Sequence, residues 1–130
     1  MKNTYLILIL IFGLGTISCK KEAGEGGTST INGKVWTVKV NGSGDTTAQY
    51  DAWDQDVYII YGTDDLTYDD KFSTSLDGSY TFTNLTIGTY TIFTYSECDF
   101  CVEGLEIVQR TVEITDKKQV VEVETMNVIE

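Results

Sequence analysis

From Phe72 to Phe82 the chain reads FSTSLDGSYTF, with Phe72, Thr74 and Leu76 spaced by two before an Asp77-Gly78 pair, and Tyr80 and Phe82 spaced by two after it. A period of two puts such residues on one face of a strand, and Asp-Gly supplies the positive φ values that a tight hairpin turn requires. The stretch predicts a β-hairpin. The same grammar runs from Ile31 to the C-terminus, with alternation broken at short intervals by Gly, Asp and Asn. The segments that pair on this reading are 31–40, 57–61, 72–76, 79–83, 89–95, 105–108 with 111–115, and 119–128. Seven short strands in about 100 residues predict an all-β, antiparallel Greek-key sandwich. No stretch after Cys19 carries a helical stripe, and eight Tyr, five Phe and two Trp suit pleated, half-buried surfaces.

The N-terminus has a different grammar. Lys2 gives a positive start, and residues 5–14, YLILILIFGL, form an apolar run too short to span a bilayer comfortably. Residues 1–18 therefore read as an export signal. Thr16-Ile17-Ser18-Cys19 resembles the lipobox of bacterial lipoproteins, with Thr16 where the strictest pattern has Leu, and Ser-Cys-Lys-Lys-Glu resembles the junction of Bacteroidetes-type lipoproteins. That resemblance implies cleavage before Cys19, a diacylglyceryl group on its thiol and an acylated new N-terminus. The competing readings are an uncleaved anchor and an ordinary secretory signal. The resemblance places the protein in the bacterial cell envelope, held in the outer membrane by its lipid, with periplasmic and surface orientations both open. Residues 20–30 are rich in Gly, Ser, Thr and charge, so 19–30 is expected to be a lipidated cysteine and flexible tether, and 31–130 the domain.

A second resemblance lies in the domain. Thr74 to Ile92, TSLDGSYTFTNLTIGTYTI, is similar to the DG-x-Y-x-F-x-N-L-x-x-G-x-Y-x-I segment of carboxypeptidase regulatory-like domains, also called transthyretin-like or prealbumin-like. Ile31-Asn32-Gly33-Lys34-Val35 resembles their first strand. The match implies that Tyr80 and Phe82 share a face, Leu85 plugs one end, Gly88 turns the chain, and Tyr90 and Ile92 re-enter the core. It also implies a non-catalytic companion domain that acts as spacer, folding aid or binding module. The chain departs from the family at 57–61 and in the acidic stretch 64–70.

The formal charge of −11 repels phosphate backbones and anionic lipid headgroups, so nucleic acid is not an expected partner, and membrane attachment is left to the covalent lipid. The chain has no His, which removes the usual general base and the commonest metal ligand. No catalytic constellation or cofactor motif emerges, and the expected protein is not an enzyme. With Cys19 lipidated, Cys98 and Cys101 remain for one disulfide clamping a hairpin tip, with free thiols and redox or metal roles as the alternatives. Asp64, Asp65, Asp69 and Asp70, like Asp51, Asp54 and Asp56, offer hard oxygen ligands, but their spacing is not that of an EF-hand; a solvated acidic rim is the preferred reading over weak calcium candidates. Trp53 and Tyr68 lie in acidic, loop-like stretches and are candidates to stack on a ligand. Lys34 and Asn127 sit at strand ends where the related Cna-B sandwiches form an isopeptide bond. The leading functional expectation is a structural or protein-interaction module of the envelope. Its rival is a carbohydrate- or calcium-binding accessory lipoprotein of a nutrient-uptake system.

Overall fold

A computed structural model describes residues 22–130, so the export segment and Cys19 lie outside the described residues. The strands are β1 (Glu25–Val40), β2 (Thr46–Asp51), β3 (Asp56–Tyr61), β4 (Asp70–Ser73), β5 (Ser79–Leu85), β6 (Gly88–Glu97), β7 (Leu105–Ile114), β8 (Val120–Glu122) and β9 (Met126–Ile129). Among the described residues the only helical turn is the 3-10 segment Val102–Gly104. The strands form two sheets, one built around β1 and the other in the order β4-β3-β6-β7.

β1 is the spine of the first sheet. Val35 donates its N–H to the Gly78 carbonyl and accepts from the Ala52 N–H, so β5 and β2 meet end to end along one edge of β1. On the other edge the Asn32 carbonyl accepts from Val123 and the Val38 carbonyl from Glu130, which seats β8 and β9 there. Alternation explains the core: Ile31 and Val35 of β1, Val57 and Ile59 of β3, Tyr80 and Phe82 of β5, Tyr90 and Ile92 of β6, and Met126 and Val128 of β9 point between the sheets. Gly33 lies on the same inward row, where a Cβ would fall 2.1 Å from the Tyr80 hydroxyl; the missing side chain is what lets the Tyr80 ring lie across β1.

The architecture is an all-β sandwich, but it differs from the sequence reading in four respects. Among the described residues it has nine strands, and β8 and β9 run parallel to β1, so it is not wholly antiparallel. The segment 119–128 is divided between those two strands, and the interrupted segment 105–108 with 111–115 is one unbroken strand, Leu105–Ile114. The Asp77-Gly78 turn forms as expected, with Gly78 at φ 74°, yet it does not join a hairpin: β4 pairs with β3 and β5 with β1, so the chain crosses from one sheet to the other at 74–78. Phe72 and Phe82 then meet edge to face between the layers, with ring centroids 6.3 Å apart. Finally, β1 begins at Glu25, inside the stretch read as tether, and Ser29 is buried there, its hydroxyl donating to the Asp116 carbonyl.

Candidate functional site

The outward face of the β4-β3-β6-β7 sheet is where the sequence places chemistry that the core does not use. Val57 and Ile59 point inward, so Asp56, Tyr58 and Ile60 face out from β3. On β6 the outward row is Thr91, Phe93 and Tyr95, and the register Tyr58↔Phe93 sets the two rings side by side. They stack at 5.0 Å between centroids with planes 17° apart. Tyr95 meets both edge-on, 5.8 Å from each. Tyr68, from the 62–69 loop, closes over Tyr58 at 4.7 Å. Across the next register step Tyr95 pairs with Ile107 and Glu97 with Leu105 on β7, which extends the aromatic row into exposed aliphatic side chains. Phe93 is buried beneath its neighbours, while Tyr68 and Ile107 keep 53% and 56% of their surface open, so the band is accessible across its width.

One border of the band is charged. Asp56 accepts from the Ser73 hydroxyl at 2.7 Å and from the Lys71 ammonium at 3.0 Å. The Ser73 hydrogen bond, then that from Lys71, holds the Asp56 carboxyl below its ordinary range. The same pair raises Lys71, chiefly through its hydrogen bond to Asp56. The Tyr58 phenol is pushed up first by burial in the cluster and then by the Asp56 charge. A rigid aromatic strip with a fixed carboxylate, ammonium and hydroxyl beside it can hold a flat apolar or amphipathic surface.

Of the sequence candidates, Tyr68 belongs to this face. Trp53 is exposed to 67% in the β2–β3 connection and makes no ring contact with the cluster. Cys98 and Cys101 are joined in a disulfide at the β6–β7 tip. The acidic candidates do not converge. Asp69 accepts from the Tyr61 N–H, Asp70 from the Lys71 N–H and Asp64 from the Thr63 hydroxyl. Among the described residues the one group of three convergent ligand-type side chains is Cys98, Cys101 and Glu106, whose two thiols are already bonded to each other. Lys34 forms an ion pair with Asp51 at 2.6 Å, and Asn127 is exposed on β9 beside Trp36, so the isopeptide pairing is not formed. Phe93 was not among the sequence candidates. Its signal was present in the spacing Phe93-Thr94-Tyr95 opposite Tyr58, but the outward sense of that row depends on which face of β6 is covered.

No family model matches the chain, and no curated protein matches it. Among solved structures it is similar to the crystal structure of a candidate carbohydrate binding protein from Pseudomonas aeruginosa, at 15% identity and a TM-score of 0.49, over 83% of this chain and 92% of that one.

Proposed function

We propose that this protein is a lipid-anchored, non-catalytic module of the bacterial cell envelope, with a transthyretin-like sandwich, that binds a protein partner through the outward face of the β4-β3-β6-β7 sheet. The observation that carries this reading is the apolar band from Tyr68 through Tyr58 and Tyr95 to Ile107, left open in a chain of net charge −11. Contiguous exposed apolar surface with a polar border is the composition of a protein interface, with Tyr supplying rigid contact area and aliphatic residues filling between. Leu105 and Ile107 favour protein over sugar, because aliphatic side chains do not stack on pyranose rings. The lipobox resemblance at Cys19 supports envelope attachment. The resemblance of Thr74–Ile92 to carboxypeptidase regulatory-like domains supports a companion role.

The test is a photo-crosslinking side chain placed at Ile107 and, as reference, at Thr47 on the other sheet, in cells producing the full chain. The expected result is a discrete adduct at 107 only, lost with Tyr95→Ala. Absence of an adduct at 107, or identical adducts at both positions, overturns the reading. A second reading, recognition of a neutral glycan, is favoured by one feature: the hydroxyl-bearing Tyr58 and Tyr68 lie next to Asp56, Lys71 and Ser73, which suit sugar hydroxyls. Binding to arrayed neutral glycans that disappears with Tyr68→Ala would establish it instead.

A further inference from the structure

The segment expected to be a free spacer is fastened to the sandwich almost from its first described residue. The Glu22 carbonyl accepts from the Thr86 hydroxyl at 2.9 Å, the Gly24 carbonyl accepts from the Thr86 N–H at 2.9 Å, and the Gly24 N–H donates to the Tyr90 hydroxyl at 3.0 Å. Ala23 packs on the core, and Gly88 approaches it so closely that a Cβ there would lie 2.8 Å from the Ala23 Cα. Only Lys20 and Lys21 separate this docked segment from Cys19. Three residues of extended chain reach at most about 11 Å. A lipid on Cys19 therefore leaves this pole no room to stand clear of the membrane.

The pole is also where unpaired positive charge collects. The 116–119 turn is pinned beside the start of β1, with the Lys118 N–H donating to the Thr28 hydroxyl and the Gln119 N–H to the Ser29 hydroxyl. Lys117 and Lys118 are exposed, and neither has an acidic partner among the described residues; the same holds for Lys39 near the far end of β1, whereas Lys34, Lys71 and Arg110 are each committed to a carboxylate. In sequence the same end carries Lys20 and Lys21 of the linker, and its acidic groups are Glu22, Glu25 and Asp116. Lys117 lines a groove of about 370 Å³ there with Glu22, Thr86 and Ile87. At the far end of β1 the groove beside the disulfide is bordered by Glu97, Asp99, Glu106 and Glu130; because a bulge gives Glu25 and Ser29 the same partner, Leu85, the strand advances only from Ser29 to Val40, roughly 35 Å.

We propose that the pole formed by residues 22–24, Thr86, Ile87 and the Lys117-Lys118 turn seats directly on anionic lipid headgroups, so that the sandwich stands on end with its acidic, disulfide-bearing tip outward. This rests on the reading that Cys19 carries the lipid. Charge selects the orientation: the less acidic end, four lysines with those of the linker against three carboxylates, meets the anionic surface, and the four carboxylates of the tip are held more than a Debye length away.

The test uses full-length lipidated protein in vesicles of phosphatidylethanolamine and phosphatidylglycerol, labelled with an environment-sensitive fluorophore at Asp116→Cys or at Ser43→Cys, with headgroup-nitroxide lipid as quencher. The expected result is strong quenching at 116 and almost none at 43, with quenching at 116 reduced severalfold by K117E/K118E while the protein still floats with the vesicles. Equal quenching at both positions in protein that floats overturns the seating and leaves the anchor intact. Protein that does not float overturns both.

Discussion

Tyr80 and Tyr90 are both sealed in the core, one from each sheet, yet only Tyr90 has partners for its hydroxyl. It accepts from the Gly24 N–H and donates to the Thr86 carbonyl at 2.8 Å, which ties the entering chain to β6. The Tyr80 hydroxyl has no hydrogen-bond partner among the described residues, and burial pushes its phenol well above the ordinary range. A buried hydroxyl without a partner loses its hydration for nothing, so Tyr80→Phe should raise stability by about 1 kcal/mol, while Tyr90→Phe should lower it by about 1–3 kcal/mol. Denaturant midpoints of the two variants should thus move in opposite directions, and a shared direction would refute the contrast. Asp56 provides a pH signature at the same scale. Its carboxyl lies below the ordinary 3.8 in the folded protein, so its contribution is present above about pH 4 and fades as pH falls through the depressed value. Lys71 lies above its ordinary 10.5, so the partner's contribution is present below about pH 10 and fades only in stronger base. The stability difference between wild type and Asp56→Asn should stay constant from about pH 5 to 9, and it should be small because water screens the exposed pair. Urea titrations at stepped pH measure it; a difference that grows on acidification would be the wrong sign.

At the scale of elements, what alternation marks is burial, and the strands without a buried side were the ones it did not reveal. β3 and β5 bury alternate residues, Val57 and Ile59 and then Tyr80 and Phe82, and β6 buries the continuous run Tyr90 to Thr94, so their positions were legible within a few residues. β2, TTAQYD, runs along β1 with almost every side chain exposed, so its hydrogen bonds leave no mark on the sequence. The start of β1 is held by backbone pairing with β5 and by Ser29, a polar residue buried through its hydrogen bonds, and a Gly- and Thr-rich segment that folds this way has the composition of a linker. The crossing at 74–78 was hidden for a different reason: Asp-Gly fixes the turn but not which sheet takes each arm. Tyr68 was legible as an exposed ring, but its seat on Tyr58 was not, because that depends on the path of the 62–69 loop. The Cys98–Cys101 bond was expected from the cysteine count and an export reading of residues 1–18, and its energetic weight follows from its short span. Chain entropy limits a four-residue ring to about 2 kcal/mol. The tip keeps hydrogen bonds of its own, Cys98 N–H to the Gly104 carbonyl and Gly104 N–H to the Cys101 carbonyl. A Cys98→Ser/Cys101→Ser protein should therefore lose no more than about 2 kcal/mol, and the wild-type thiols should resist alkylation until reductant is added. Intact mass and denaturant midpoints test both, and a loss as large as that of a core truncation would show that the disulfide holds the sandwich rather than its tip.

On the scale of the whole molecule, the proposed anchoring raises the question of how an acidic sandwich would stay on a membrane. Among the described residues no helix is long and apolar enough to cross a bilayer. The Lys117-Lys118 pole cannot hold the protein alone, since each basic residue near an anionic surface contributes about 1 kcal/mol and the chain as a whole carries −11. Two or more acyl chains can, because each buried methylene adds about 0.8 kcal/mol where a single chain binds only marginally. On the proposed reading the two contributions divide the work: the lipid on Cys19 supplies the binding energy, and the basic pole selects which end faces the bilayer. Cys19→Ser should then abolish attachment rather than weaken it, leaving the protein in the soluble envelope fraction or as a full-length precursor, whereas K117E/K118E should leave the wild-type distribution between fractions unchanged. Fractionation with detergent, high salt and carbonate separates these outcomes, because lipid-held protein leaves the membrane only with detergent. If correctly cleaved Cys19→Ser protein still sediments with membranes and is released by salt, the acidic chain is held by a partner in the envelope, and the open Tyr68–Ile107 face becomes the first surface to examine for it.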